Sequence, residues 1–183
     1  MALTIEQLNT VSPDESANLL EGVYEHSPWI ARRAMASRPF RSLAHLKQVL
    51  AHVVSTATEA EQLGLIKAHP ELAGKAMVSK TLTAESTNEQ GKAGLTECTP
   101  EEFEKIQQLN SDYNARFGFP FILCIRRHTR ESALQAFEQR LRNDRATELA
   151  GALDEISAIT RLRLDRFMTD VSPVASQGVL IPS

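Results

Sequence analysis

Cysteine is scarce, with only Cys98 and Cys124 among 183 residues. Two cysteines cannot build a disulfide framework, and they suit a reducing compartment in which both stay free thiols. Long apolar runs are missing too, and no stretch nears the roughly 18 residues that a membrane-spanning helix needs. Excess positive charge is absent: 20 Lys+Arg stand against 23 Asp+Glu, for a formal net charge of -3. A general nucleic-acid binder would be more basic. Glycine and proline number 8 each, too few for a collagenous or low-complexity chain. The opening MALTIEQLNTVSPDE has neither a basic region nor an apolar run of the secretory type. The closing VLIPS carries no retention or peroxisomal address. The expectation is a cytoplasmic protein without membrane or nucleic-acid partners.

What is there is mostly helix. Ser12-Pro13-Asp14-Glu15 combines a capping residue, a first-turn proline and a carboxylate at the third position. A segment over about residues 27–37 follows, broken by Arg38-Pro39-Phe40. Ser42 can cap a helix carrying Leu43, Leu46, Val49, Leu50 and Val53 at helical spacing. Thr58 with Glu61 repeats the capping box, and that helix should stop at His69-Pro70. Thr99-Pro100-Glu101-Glu102 opens another helix, with Gly118 as its stop. Two more helices are expected over about 129–143 and 144–170. Residues 119–125 form a short apolar run, strand-like or simply buried extended chain. Residues 70–98, rich in glycine and hydroxyls, are expected to be a long functional loop with short helical turns. The sum is an all-α fold, a single compact domain of six to eight helices over 1–171, with a flexible tail over 172–183.

No GxGxxG, GxxxxGK[ST], GxSxG, HExxH or CxxC motif is present. Three quieter candidates remain. His69 ends a helix directly before Pro70, which turns its ring across the following chain. It can exchange a proton there, or merely cap helix carbonyls. Ser86 and Glu89 have capping-box spacing, yet with Gln90 they could equally offer hydrogen bonds to a ligand. Arg163 falls inside the apolar stripe of the last helix. With Leu149 at zero and about 100° per residue, it lies near 320°, while Arg161 and Arg166 lie toward the edges. An inward guanidinium needs an anion, either a glutamate or a substrate oxygen.

Taken together, these segments resemble the 2-oxo-4-hydroxy-4-carboxy-5-ureidoimidazoline (OHCU) decarboxylases. His69-Pro70-Glu71-Leu72-Ala73-Gly74 looks like that family's HP-[DE]-L-[AG]-G signature, with Glu71 where aspartate is commoner. Ser86, Glu89, Gln90 and Ala93-Gly94-Leu95 resemble its S-x-x-E-Q-x-x-A-G-L block. Phe117 to Phe121 reads FGFPF, and Glu155-Ile156 through Ile159 to Arg163-Leu164 is similar to its closing helix. The resemblance implies an all-α homodimer that decarboxylates OHCU to (S)-allantoin, the last step of urate breakdown. It implies no cofactor and no metal. It assigns His69 and Glu89 as catalytic. Pro70, Ser86, Gln90, Arg163 and the segment Phe121, Ile122, Leu123, Cys124 and Ile125 become substrate contacts, the last five largely through main chain.

Two rivals stand beside it. A metal-dependent hydrolase would use His45 and His52, which are two helical turns apart, though no third ligand has useful spacing. A non-enzymatic helical module would need no pocket joining distant residues. The decarboxylase reading requires His69, Glu89, Phe121 and Arg163 to meet.

Overall fold

The computed structural model describes residues 3–74 and 80–169. Local capping chemistry starts its helices. Thr4 and Gln7 form a capping box for α1 (Ile5–Thr10), and Ser12 and Glu15 form one for α2 (Pro13–Leu19). Pro28 opens α3 (Pro28–Ala34), which tightens into a 3-10 turn over Met35–Ser37. Ser42 caps α4 (Leu43–Ser55). Thr58 and Glu61 box α5 (Glu59–Ala68), and the chain turns extended at His69 because Pro70 disfavours the helical region there. α6 (Ala84–Lys92) follows, then α7 (Pro100–Phe117), boxed by Thr99 and Glu102 and stopped by Gly118 at φ 78. α8 (Arg130–Arg140) and α9 (Arg145–Phe167) complete the set.

The described residues thus hold nine α-helices, and the all-α class is as expected. The only pairing of strands among them is the two-residue parallel clip of β1 (Leu3–Thr4) with β2 (Met168–Thr169). Residues 119–124 join no ladder. They run as buried irregular chain into a 3-10 turn at Ile125–Arg127. The expected tail over 172–183 lies outside the described residues, as does the 75–79 part of the expected loop.

The 70–98 segment departs most from its reading. It contains the nine-residue helix α6 and a further 3-10 turn at Leu95–Glu97. Thr83, not Ser86, caps α6, accepting from the Ser86 N–H, so Ser86 and Glu89 are not a capping box. The segment looked like a loop because the face it buries is polar: Ser86, Glu89 and Gln90, three and four apart, as a helix requires.

α9 is the central rod, packed against α4, α5 and α7. Ile156, Thr160, Arg163 and Leu164 are buried, whereas Arg161 and Arg166 are exposed. Beside it, Tyr113, Phe117, Phe119, Phe121 and Phe137 form an aromatic cluster, with Phe121 stacked on Phe137 at 3.8 Å between centroids. Arg140 lies over the Phe121 ring and donates to the Ile122 carbonyl at 2.6 Å. Glu148 holds Arg140 and the Tyr113 hydroxyl. This buried network fixes the 121–125 segment from behind.

Candidate active site

Four stretches distant in sequence meet at one small cavity of about 30 Å³: the end of α5, the inner face of α6, the 121–125 segment and the middle of α9. His69, Pro70, Ser86, Glu89, Gln90, Phe121, Ile122, Leu123, Ile125 and Arg163 all line it. Cys124 does not. Its main-chain N–H donates to Glu155 Oε2 at 2.7 Å, so that donor is taken by α9.

His69 is 6% exposed. Its Nδ1 lies 2.8 Å from the Leu65 carbonyl oxygen, an acceptor only, so Nδ1 carries a proton. Nε2 is buried with no hydrogen-bond partner among the described residues. Burial pushes the imidazole below its ordinary pKa, and the Leu65 carbonyl and the Glu25 carboxylate only partly oppose this. The ring is therefore neutral near pH 7, with the Nε2 lone pair unused.

Arg163 faces it from α9, 1% exposed. Nε and Nη2 donate to the two Glu89 oxygens, each at 2.8 Å, in the bidentate geometry that suits guanidinium and carboxylate. Nη2 also reaches Glu25 Oε1 at 3.0 Å and Ser86 Oγ at 3.2 Å, and Nη1 reaches the Gly22 carbonyl at 3.1 Å. Burial works against the guanidinium charge, but Glu89 and Glu25 outweigh it and hold the group above its usual pKa. A glutamate, one of the two kinds of partner open in the sequence, thus pairs with Arg163.

The Gln90 amide is engaged by the turn after His69. Its Oε1 accepts from the Ala73 N–H at 2.9 Å, and its Nε2 donates to the Glu71 carbonyl at 3.3 Å. Asn110 and Gln107 hold the carbonyls of Leu72 and Ala73. These bonds pin the turn after His69, in which Ala73 sits at a positive φ of 46.

Glu25 was not legible in the sequence. It lies on the loop between α2 and α3, in no periodic pattern, and is 2% exposed. Glu155 was visible only as part of a motif, without its role at Cys124. The rival metal reading finds no support in side-chain placement: among the described residues no group of three or more His, Cys, Asp or Glu could hold a metal ion. His45 instead accepts from the Arg41 N–H at 3.2 Å. The non-enzymatic rival expected no shared cavity, and one is present.

Comparison with known proteins agrees with this arrangement. The OHCU decarboxylase family model matches residues 9–165. An OHCU decarboxylase of Halalkalicoccus jeotgali is 37% identical over 163 residues, covering 89% of this chain and 90% of that protein. The uric acid degradation bifunctional protein of Bacillus subtilis is 40% identical over 167 residues, covering 91% of this chain and 33% of that protein. Among solved structures, one described as (S)-allantoin synthase superposes with a TM-score of 0.69 at 26% identity, covering 91% of this chain. This chain spans about half of that one, 54%.

Proposed function

The chain belongs to the OHCU decarboxylase family, and from that membership we infer that it is a carboxy-lyase of urate degradation, converting OHCU to (S)-allantoin and carbon dioxide. The observation that carries the residue roles is the meeting of His69 Nε2, Glu89 and Arg163 on one buried cavity.

Balance of atoms sets what the site must do. The bond from the ring carbon to the carboxylate breaks and leaves as carbon dioxide. Its electron pair is taken up by the adjacent electron-withdrawing ring groups. The hydroxyl on that carbon becomes the carbonyl of allantoin as its proton is released. A proton joins the neighbouring ring carbon that bears the ureido group, so that with protonation of the ring nitrogen each turnover consumes one proton net. No organic cofactor is required, because the substrate supplies its own electron sink. His69 Nε2 is the atom placed to deliver the proton from one face. The resting imidazole is neutral, so it gains that proton with the anionic substrate, whose negative charge favours the imidazolium. Arg163 is the cation that meets negative charge on the substrate, and Glu89 keeps the guanidinium oriented. Phe121, Ile122, Leu123 and Ile125 form part of the wall against the ring, and Pro70 and Ser86 line the same cavity. Cys124 acts behind that wall through Glu155, and Gln90 acts by shaping the turn after His69. The cavity has room for about one water, so the ring displaces side chains as it enters.

Two finer readings complete the proposal: assembly as a homodimer, which rests on the family resemblance, and a cytoplasmic location, which rests on sequence features. Among the described residues no helix is long and apolar enough to cross a membrane.

The test uses OHCU generated freshly from urate and follows the optical activity of the allantoin formed. Accumulation of one enantiomer, faster than without protein, is the expected result. A racemate formed at the uncatalysed rate would overturn the assignment.

A further inference from the structure

One buried acidic group is left over when His69, Glu89 and Arg163 have been given their roles. Glu25 Oε1 takes three donors: Ser86 Oγ at 2.5 Å, Thr83 Oγ1 at 3.0 Å and Arg163 Nη2 at 3.0 Å. The carboxylate also borders a second cavity of about 790 Å³, together with Glu21, Thr83 and Glu85, while its partners Ser86 and Arg163 line the small pocket.

A structural ion pair would not need it. Glu89 already matches Arg163 with two hydrogen bonds and one opposite charge. Adding Glu25 leaves the triad with one negative charge in excess, and a buried unmatched charge is costly unless something answers it. The excess charge favours the imidazolium form of His69. Among the described residues the charged groups that act on that imidazole are Glu25 from the α2–α3 loop, Arg163 from α9 and Glu89 from α6, and of these Glu25 acts most strongly.

Resting on the decarboxylase reading, we propose that Glu25 is a positioning residue for the reaction: it fixes Ser86 and Arg163 on the pocket wall and supplies the negative charge against which His69 takes up its proton. The carboxylate touches no substrate in this role. It acts through Arg163 and Ser86 by contact and through His69 by charge.

The experiment compares wild type, Glu25→Gln and Glu25→Asp. Two readouts are taken: NMR titration of the His69 imidazole in ligand-free protein, and kcat and KM for OHCU. Glu25→Gln keeps the shape and removes the charge. Its expected signature is a His69 titration moved to lower pH and a kcat reduced roughly 10- to 100-fold, the loss of one charge-assisted contact, without a rise in KM. Glu25→Asp keeps the charge, so its His69 titrates nearer the wild-type pH and part of kcat returns. Folded Glu25→Gln with wild-type titration and wild-type kcat overturns the proposal, and so does a change confined to KM. Should Glu25→Gln fail to fold, Glu25→Asp decides the matter: a His69 titration as far displaced as that of an uncharged site refutes the role. The titration needs no turnover. A wild type that fails to decarboxylate therefore sinks the functional reading and leaves the coupling of Glu25 to His69 separately measurable.

Discussion

Arg163→Met removes the single cation from a buried cluster and leaves its two carboxylates behind. The Arg163 and Glu25 side chains are each 1% exposed and Glu89 is 8% exposed. Water can therefore do little to replace the guanidinium. Breaking such a buried pair from one side costs about 3–5 kcal/mol, which for a domain of this size lowers the melting temperature by roughly 6–20 °C. The pH dependence follows from Glu25. Burial pushes its carboxyl up, but the Ser86 hydroxyl and Arg163 more than reverse this, so its folded pKa lies below the usual carboxylate value. A depressed carboxyl contributes stability that is present above the unfolded pKa and lost as pH falls through the folded one. Without Arg163, burial prevails and the carboxyl rises above its unfolded value. The variant is then penalised at neutral pH and relieved as the group protonates. The gap in stability is widest near pH 7 and narrows toward about pH 4, the ordinary range of a glutamate. Thermal unfolding followed by far-UV circular dichroism at several pH values measures it. Adding Glu89→Gln to Arg163→Met should restore part of the loss. A gap under about 1 kcal/mol at neutral pH, well below what burial implies, or one that widens on acidification, would refute the reasoning.

His69→Asn is expected to abolish decarboxylation, a loss of about 100-fold or more for a proton donor. Its effect on stability should stay near 1 kcal/mol, the worth of its one hydrogen bond to Leu65; wild-type turnover in that variant would remove His69 from the mechanism. In the wild type, kcat/KM reports the free enzyme, where burial holds the His69 imidazole below its usual pKa. With the imidazolium as the proposed proton donor, kcat/KM should fall as pH rises through that depressed value, and initial rates against pH check the sign. Gln90→Leu strips both hydrogen bonds from the turn at residues 71–73. It should destabilise by about 2 kcal/mol or more and raise KM, as denaturant melts and steady-state kinetics would show. Gly118→Ala meets no side chain within 4 Å but must adopt φ 78, so a loss of about 1 kcal/mol from backbone strain alone is expected.

Much of the fold was legible because helix starts are local chemistry. The capping boxes at Ser12, Thr58 and Thr99 and the stop at Gly118 act within one turn of chain, and the structure places all of them as read. The inward turn of Arg163 was legible for a related reason: periodicity along one long helix fixes which residues share a face. Helix α6 was not legible, although its spacing is as regular as that of α9. Its buried positions are Ser86, Glu89 and Gln90 rather than apolar residues, and a reading that tracks hydrophobic periodicity sees no face there. The helix looks like a loop because it points its polar side inward.

The same fact explains why Glu25 stayed hidden. A polar group can be buried only when partners from other elements satisfy it, and those partners are 58, 61 and 138 positions away in Thr83, Ser86 and Arg163. No window of sequence contains the interaction, so no local rule announces it. The positions where hydrophobic patterning fails are therefore the positions where the chain gives up easy burial for chemistry. Here they share one cavity with an imidazole nitrogen that has no hydrogen-bond partner among the described residues. Leaving Nε2 unpaired in a buried site is unfavourable for stability. That arrangement fits an enzyme whose substrate must pick up a single proton there, and fits poorly with a helix-end histidine that only caps carbonyls.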